Sequence, residues 1–389
     1  MKTTSRPTTA TVFPWRAENQ LQLWVDGVQF FPALLAALHP AQYAIEIELY
    51  LLEEGTCAEI MVAALCRAAR RGVQVRCVFD ALGGRRLGAR LCAKLQAAGV
   101  QVRWYNPLGW RHGVGNFYRN HRKVLLIDRT ALWMGGMGLT DAFWHPQRGS
   151  AWHELMVCVR GPLVADAVCL FEQQWRTEAP PRAWPLRWPV RACVVPPPAS
   201  ATGWARLSYT HANHREILHS LLCAIERAQR RLWLATPYFL PSWRLRRALA
   251  RAVRRGVEVR LLLCGTLTDH PPVRHAGQRY YLRLLKAGVR IFEYQPRFSH
   301  LKAVIADDWL SIGSCNFDRW TLRYDLEANL ESVDATLRAA LEANFCADFQ
   351  ASQEITLAAW RARSWRQRVK QWWYGWLDQL LIDRLDRWR

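Results

Sequence analysis

The amino-acid sequence predicts an α/β protein of two similar lobes, each a mixed β-sheet flanked by helices. An internal repeat is the first reason: AARRGVQVRCVF at 68–79 returns as AVRRGVEVRLLL at 252–263. A second block, AAGVQVRWYNP at 97–107, returns in register as KAGVRIFEYQP at 286–296. In both copies, helices that end at glycine lead into strands of alternating β-branched residues, an order that predicts parallel or mixed sheets. The length of 389 residues suits two such lobes.

The repeat and the composition around it divide the chain into five segments. Seven prolines lie between Pro180 and Pro198, which indicates a stiff linker and not a folded element. The expected segments are an N-terminal arm, a first lobe, a Pro-rich linker, a second lobe and a basic, Trp-rich tail, at 1–30, 31–178, 179–205, 206–350 and 351–389.

The charge balance narrows the class of partner. Lys and Arg number 53 against 32 Asp and Glu, a formal net charge of +21, which indicates nucleic acid, anionic lipid or a phosphorylated substrate. The 21 tryptophans favour a membrane interface, where one end of the ring is apolar and the other wet. No run reaches the ~18 apolar residues of a transmembrane helix, and the N-terminus lacks the apolar region of a signal peptide. Membrane contact is therefore expected from one side only.

Each lobe then carries the same chemical motif. Its members in the two copies are His121, Lys123 and Asp128, and His300, Lys302 and Asp307. Residues two apart on a strand share a face, so each His and Lys are expected to point the same way, where the ammonium draws a phosphate oxygen and keeps the imidazole neutral and nucleophilic. The aspartates fall on the opposite parity, where the strand enters a turn, and a mainly structural role is favoured over direct catalysis.

The duplicated HxKxxxxD, followed by Gly-Gly or Gly-Ser, resembles the phospholipase D superfamily. The similarity spans residues 40–350, and within the superfamily the chain looks most like bacterial cardiolipin synthases, particularly type B, which lacks N-terminal transmembrane helices. The supporting segments are RNHRK at 119–123, WHELMVCVRGP at 152–162, FEQQW at 171–175, TPYFLP at 236–241 and GSCNFDRW at 313–320.

This resemblance implies two lobes related by a pseudo-twofold axis, with one active site between them and a ping-pong reaction. His121 is preferred as the nucleophile that becomes a phosphohistidine and His300 as the acid and base, although the near-symmetry leaves the reverse assignment open. The two lysines would hold the non-bridging oxygens, and Asn316 would add an amide donor. Glu154 and Glu327, which follow His121 and His300 of their own lobes by 33 and 27 residues, would orient those imidazoles, the alternative being solvated surface charges.

Two features of the first lobe depart from the second. Gly138 stands where the family has Asn, so one donor is missing there. An insertion between Pro107 and His121 is interpreted as a substrate lid, or else as a permissive surface loop. No cofactor is implied and no metal site is predicted, because the cysteines form no CxxC pair and His211 and His214 lack a third ligand.

The tail reads as an amphipathic helix. Its apolar stripe and the arginines beside it match a helix that lies in an anionic leaflet, although a stripe that packs on the second lobe would look the same. The expected membrane-binding residues are Trp365, Trp372, Trp373 and Trp376.

The leading functional hypothesis is a cardiolipin synthase that moves a phosphatidyl group from one phosphatidylglycerol to another. The alternatives are a phospholipase D or nuclease of the same superfamily, and a non-catalytic scaffold that binds anionic lipid or nucleic acid. The expected partners are phosphatidylglycerol and an anionic membrane surface, with no obligatory nucleic acid and no prediction of oligomeric state. The expected location is the cell membrane, peripheral on its cytoplasmic face.

Overall fold

A computed structural model of the chain describes residues 12–177, 195–197, 202–211 and 214–365, together with residues 369, 373, 374 and 376. The first lobe contains, in chain order, β1 (Gln20–Val25), α1 (Gly27–Leu38), β2 (Ala44–Leu49), α2 (Thr56–Arg70), β3 (Gln74–Asp80), α3 (Ala89–Ala97), β4 (Gln101–Tyr105), a 3₁₀ helix (Trp110–Phe117), β5 (Val124–Ile127), β6 (Ala131–Gly135), β7 (Trp152–His153), β8 (Leu155–Arg160) and α4 (Leu163–Arg176).

The second lobe repeats this order with a few additions. It contains β9 (Ala205–His211), β10 (His214–Arg215), α5 (Glu216–Arg227), β11 (Arg231–Thr236), α6 (Trp243–Arg254), β12 (Glu258–Cys264), α7 (Pro271–Gln278), α8 (Tyr281–Lys286), β13 (Arg290–Tyr294), β14 (Phe298–Ser299), β15 (Ala303–Ala306), β16 (Trp309–Gly313), α9 (Thr321–Tyr324), β17 (Ala328–Ser332), α10 (Ala335–Gln350), β18 (Ser352–Ile355) and α11 (Leu357–Ala362).

The two sheets share one strand order. The first runs β1-β8-β6-β5-β2-β3-β4, and the second runs β9-β17-β16-β15-β11-β12-β13 with β10 and β18 added at its edges. In each sheet the three βαβ strands are parallel to one another and the remaining pairs are antiparallel. The prediction of two similar lobes with mixed sheets is therefore confirmed.

Glycines in the left-handed region end the repeated helices as the sequence predicts. Gly72 and Gly256 follow the Arg-Arg pairs with φ of 94° and 89°. A side chain at either position would be strained, whereas glycine adopts this conformation readily and lets the chain turn directly into the next strand.

One hydrophobic core is shared by the two lobes. It lies between the sheets and joins Leu126 and Val157 of the first sheet to Ile305 and Leu330 of the second. The last helix of each lobe packs across the boundary, α4 against β9 and α10 against β1. Separate apolar clusters bury the outer helices α1–α3 on the first sheet and α5, α6 and α8 on the second. The repeated units are thus fused into one layered body.

The segment boundaries differ from those expected at both ends. The expected arm, 1–30, contains β1 and the start of α1, because β1 pairs with β8 at the edge of the first sheet. The expected tail, 351–389, begins with β18, which pairs with β13. Both strands lie at sheet edges, and neither lies in a matched block of the repeat, so no local pattern predicts either of them. Most of the expected linker lies outside the described residues.

Candidate active site

The two His-Lys pairs lie at the entrances to equivalent strands. His121 and Lys123 precede β5, and His300 and Lys302 precede β15. The backbone N–H of His121 donates to the Leu326 carbonyl (2.9 Å), and that of His300 donates to the His153 carbonyl (2.8 Å). Each histidine is therefore held by the other lobe, and the two sit on opposite sides of the lobe boundary.

The carboxylates that orient the imidazoles also come from the other lobe. Nδ1 of His121 lies 2.8 Å from Oε1 of Glu327, and Nδ1 of His300 lies 2.6 Å from Oε2 of Glu154. Both glutamates are fully buried, so a solvated surface role does not fit them. Because each Nδ1 is occupied, Nε2 is the ring nitrogen that faces a substrate.

The lysines differ in their access to the cavity between the lobes. His121, His300 and Lys123 line it, whereas Lys302 is buried behind His300 with Nζ 2.8 Å from Nδ1 of His300 and 3.5 Å from Glu154. Burial lowers the pKa of Lys123 to about 7 and also lowers the pKa of Lys302. Both ammonium groups thus gain from any anion that enters.

The same burial, with repulsion from the lysines, keeps the imidazoles neutral. It lowers the pKa of His300 to about 4, although Glu154 opposes the shift, and it holds the pKa of His121 well below the ordinary value. Neutral imidazoles retain the lone pair that nucleophilic attack requires.

The two glutamates have opposite titration behaviour. Burial alone would raise the pKa of Glu154, but Lys302 and His300 outweigh it and hold that pKa below its ordinary value. Burial raises the pKa of Glu327 to about 8 despite Lys123 and a hydrogen bond from Ser314. The carboxylate beside His300 is therefore the one that stays ionised near neutral pH.

The cavity has a volume of about 1110 Å³ and draws its walls from both lobes. It opens at the carboxyl ends of the parallel strands, where Tyr50 follows β2 and Tyr238 follows β11, as the repeat aligns them. The Tyr50 ring meets the His121 ring edge-on, with centroids 4.5 Å apart. Crevices at this end of parallel strands are common ligand sites.

Comparison with known proteins identifies the family. The chain matches the family described as "Cardiolipin synthase, PLD-like domain" over residues 34–175 and 221–349. It is 33% identical over 350 residues to cardiolipin synthase A of Pseudomonas putida, covering 88% of this chain and 71% of that protein. It is 34% identical over 336 residues to cardiolipin synthase B of Salmonella typhi, covering 85% and 80%.

The chain belongs to the cardiolipin synthase family of phospholipase D-like proteins. It is accordingly a phosphatidyltransferase of that superfamily. Types A and B match at nearly the same identity, and the matched region covers 80% of the type B protein against 71% of the type A protein.

Solved structures support the fold of this cardiolipin synthase family member. Phosphatidylserine synthase of Haemophilus influenzae Rd KW20 superposes with a TM-score of 0.74 at 15% identity, covering 96% of both chains. Polyphosphate kinase of Porphyromonas gingivalis gives a TM-score of 0.57 at 17% identity, covering 83% of this chain and 46% of that one.

The two motif aspartates lie away from the cavity and accept hydrogen bonds from backbone N–H groups. Asp128 accepts hydrogen bonds from the N–H groups of Gln42, Tyr43 and Ala44 at the start of β2. Asp307 accepts the equivalent bonds from residues 229–231 at the start of β11. These contacts hold the strands that carry Tyr50 and Tyr238, and they place neither aspartate beside a histidine.

The positions of Asn316 and Gly138 reveal the asymmetry of the site. Asn316 lines the cavity, and its Oδ1 is buried with no hydrogen bond among the described residues. A Cβ at Gly138 would lie 3.0 Å from the Leu51 side chain and 3.1 Å from Phe143. Asparagine at Gly138 would thus need its neighbours to shift, so the missing donor follows from local packing.

Three residues at one end of the site bring ligand-type atoms together. Atoms of His121, Asp325 and Glu327 lie within 4.8 Å of one another. Glu327 already accepts hydrogen bonds from Ser314 and contacts His121, and burial raises the pKa of Asp325 well above its ordinary value. The charge of this group is therefore balanced by protons and by Lys123.

The expected tail contacts the site through Tyr374, which is not among the four predicted membrane-binding residues. Tyr374 lines the cavity and stacks on His275, with centroids 5.7 Å apart. Trp365, Trp373 and Trp376 are 69%, 50% and 45% exposed, and Trp372 lies outside the described residues. Over the described ranges, no helix is both long and apolar enough to cross a bilayer.

The insertion before His121 is folded and stays at the edge of the site. It forms the 3₁₀ helix at 110–117, with Trp110 87% exposed, and Phe117 contacts Trp320 of the cavity wall. Ser314 and Tyr238 lie in the segments that resemble the family, whereas no role was predicted for Tyr50 or Asp325. The spacing of Asp325 and Glu327, two apart beside a strand, was the available signal.

Proposed function

We propose that the protein is a cardiolipin synthase: it transfers a phosphatidyl group from one phosphatidylglycerol to another, giving cardiolipin and glycerol through a phosphohistidine. One observation carries the proposal. Two imidazoles from different lobes line one cavity, and each has its Nδ1 held by a buried carboxylate of the opposite lobe. Such a pair can attack a phosphorus from one side and handle the proton of the leaving alcohol on the other.

In the first step, Nε2 of His121 attacks the phosphorus of the donor lipid. The bond from phosphorus to the headgroup glycerol oxygen breaks, and His300 gives that oxygen a proton, so glycerol leaves. The ionised Glu154 beside His300 favours this assignment, because a carboxylate on Nδ1 stabilises the imidazolium that must carry the proton. Burial and repulsion from Lys302 keep His300 neutral in the empty site, so His300 takes up a proton from solvent when the phosphodiester anion binds and favours the imidazolium.

In the second step, a glycerol hydroxyl of the acceptor lipid attacks the phosphohistidine. His300 takes the hydroxyl proton, the phosphorus–nitrogen bond breaks, and both histidines return to their starting states. Lys123, which lines the cavity, stabilises the negative charge that builds on the non-bridging oxygens, Lys302 adds its charge from behind His300, and the Asn316 amide adds a donor.

Membrane association at the cytoplasmic face is part of the proposal. The exposed Trp365, Trp373 and Trp376 belong to the same tail as the cavity residue Tyr374, so aromatic side chains suited to a leaflet lie near the mouth of the site. A net charge of +21 adds attraction to anionic lipid.

Product analysis tests this function. Purified protein is incubated with headgroup-labelled and acyl-labelled phosphatidylglycerol in mixed micelles, and the lipids are separated by thin-layer chromatography and mass spectrometry. Cardiolipin and free glycerol in equal amounts are expected. Phosphatidic acid alone would show that water is the acceptor and that the protein is a hydrolase, and absence of any product would favour a binding scaffold.

The nucleophile assignment has its own test. Rapid acid-free quenching after addition of phosphorus-labelled substrate should trap an acid-labile, base-stable phosphoenzyme in the wild type. His121→Ala should trap none. Label that persists in His121→Ala but disappears in His300→Ala would reverse the two roles.

A further inference from the structure

The loop between β3 and α3, residues 81–88 with the sequence ALGGRRLG, forms one rim of the cavity. Gly83, Arg85 and Arg86 of this loop line the cavity together with His121 and Lys123. The reaction steps above use neither arginine. The β3–α3 loop is therefore a cationic wall of the site with no role in the chemistry at the donor phosphorus.

The loop is held in a fixed conformation. Oδ1 of Asp80 accepts hydrogen bonds from the N–H groups of Leu82 (2.8 Å) and Gly83 (3.0 Å), and the Arg86 carbonyl accepts one from Glu54 (2.8 Å). A Cβ on Gly83 would lie 2.3 Å from the Tyr50 carbonyl oxygen, so only glycine permits this approach. The position of the arginines is thus set by the β3–α3 loop backbone and does not depend on a bound ligand.

The two arginines differ in how their charge is balanced. Nη1 of Arg86 lies 2.7 Å from Oε1 of Glu53, which neutralises it. The Arg85 guanidinium is exposed and has no hydrogen bond or ion pair within the described part of the chain. Its charge acts on Tyr50, whose ring contacts His121. Arg85 is accordingly a cation on the cavity wall that no carboxylate among the described residues neutralises.

The rim of the cavity that faces the β3–α3 loop carries an acidic side chain in place of the arginines. The segment after β12, which corresponds to the β3–α3 loop in the repeat, carries Asp269 and His270. The Tyr238 hydroxyl donates to Oδ2 of Asp269 at 2.5 Å. A ligand with a phosphate at one end and hydroxyl groups at the other would therefore be oriented, with the phosphate toward Arg85 and the hydroxyls toward Asp269.

We propose that Arg85 binds the phosphodiester of the acceptor lipid, and that the β3–α3 loop is the acceptor subsite. The inference rests on the proposed function and deepens it. The acceptor phosphatidylglycerol keeps its own phosphate, one glycerol away from the hydroxyl that attacks the phosphohistidine. The phosphates of the donor and acceptor lipids must then share one cavity, and the two lysines stabilise the charge on the donor phosphate. The planar fork of arginine matches two oxygens of the second.

The test separates acceptors that carry a phosphate from one that does not. Wild type, Arg85→Gln and Arg85→Lys are assayed for two products from the same labelled phosphatidylglycerol: cardiolipin, and phosphatidylethanol formed when ethanol is the acceptor. Arg148→Gln is the matched control, because Arg148 is an exposed arginine of the same lobe outside the cavity and its loss changes the net charge equally.

For Arg85→Gln, kcat/KM toward acceptor phosphatidylglycerol should fall about ten- to hundredfold, the factor for one charge-assisted hydrogen-bonded contact. Transfer to ethanol should stay at the wild-type rate, which also shows that the variant is folded. Arg85→Lys should lie between the two, and Arg148→Gln should match the wild type in both assays.

Two outcomes would overturn the inference while leaving the proposed function intact: unchanged cardiolipin formation by Arg85→Gln, or an equal loss of both products. A wild-type protein that forms phosphatidylethanol but no cardiolipin would instead refute the proposed function, and the acceptor subsite with it.

Discussion

A buried charge cluster behind His300 makes a quantitative prediction about stability. His153 is 3% exposed, with Nδ1 2.7 Å from Asp26 of the first lobe and Nε2 3.0 Å from Asp348 of the second. Arg297 also pairs with Asp26. With His153 protonated, the cluster holds two positive and two negative charges. The backbone carbonyl of His153 accepts a hydrogen bond from the N–H of His300, so the cluster lies directly behind the reacting imidazole.

The magnitude follows from the pKa of His153. Burial alone would lower it, but hydrogen bonds and attraction from Asp26 and Asp348 outweigh burial and raise it from 6.5 to about 9. A raised pKa of this size contributes about 3 kcal/mol to the free energy of unfolding. Because the folded state binds the proton more tightly, this stabilisation is complete below pH 6.5 and is lost as the pH rises through about 9.

Asp348→Asn removes one of the two carboxylates and keeps the side-chain shape. The wild type should exceed the variant in free energy of unfolding by about 1–2 kcal/mol at pH 6, roughly half of the His153 contribution, and by much less at pH 9.5. Urea denaturation of both proteins from pH 6 to 9.5 measures this difference, in which other titrating groups cancel. A gap that is independent of pH would refute the reasoning, since it would show that His153 carries no proton in the folded protein.

Four further outcomes are expected. His121→Ala and His300→Ala should each abolish product, and the double variant should be no worse than either, because both histidines serve one cycle; rates on phosphatidylglycerol measure this. Asp307→Ala should lose about 2–3 kcal/mol of stability in denaturation while keeping its kcat on short-chain soluble lipid, since its three backbone contacts lie away from the cavity. Joint replacement of Trp373 and Trp376 by Ala should weaken co-sedimentation with anionic vesicles, each ring contributing up to about 1.5–3 kcal/mol, and leave soluble-substrate turnover unchanged. Chelation with EDTA should leave the rate unchanged, because protons and Lys123 already balance Glu327; a rate restored only by added cation would contradict this.

The sequence predicts the repeated core of each lobe because local signals are strong there. Helix ends at Gly72 and Gly256 and the alternating strands after them depend on nearby residues alone. The edge strands β1 and β18 escaped notice because each is stabilised by pairing with a distant strand.

The sequence predicts which residue types form the site, but it does not predict which glutamate contacts which histidine. The motif and the glutamates were identified, yet nothing in their order along the chain shows that Glu327 serves His121 and Glu154 serves His300. That exchange arises from how the lobes pack. The cluster around His153 was missed for the same reason, since its carboxylates, Asp26 and Asp348, lie 127 and 195 residues away.

The shared core between the sheets restricts how a lipid reaches the histidines. Because α4 and α10 each pack across the boundary, separating the two lobes would expose the apolar core between the sheets to water. A lipid that reaches the histidines without such an opening would enter headgroup first, between the segments after β3 and β12 that line the cavity. A leaflet would present each lipid headgroup first, and the product would leave through the same opening of the cavity.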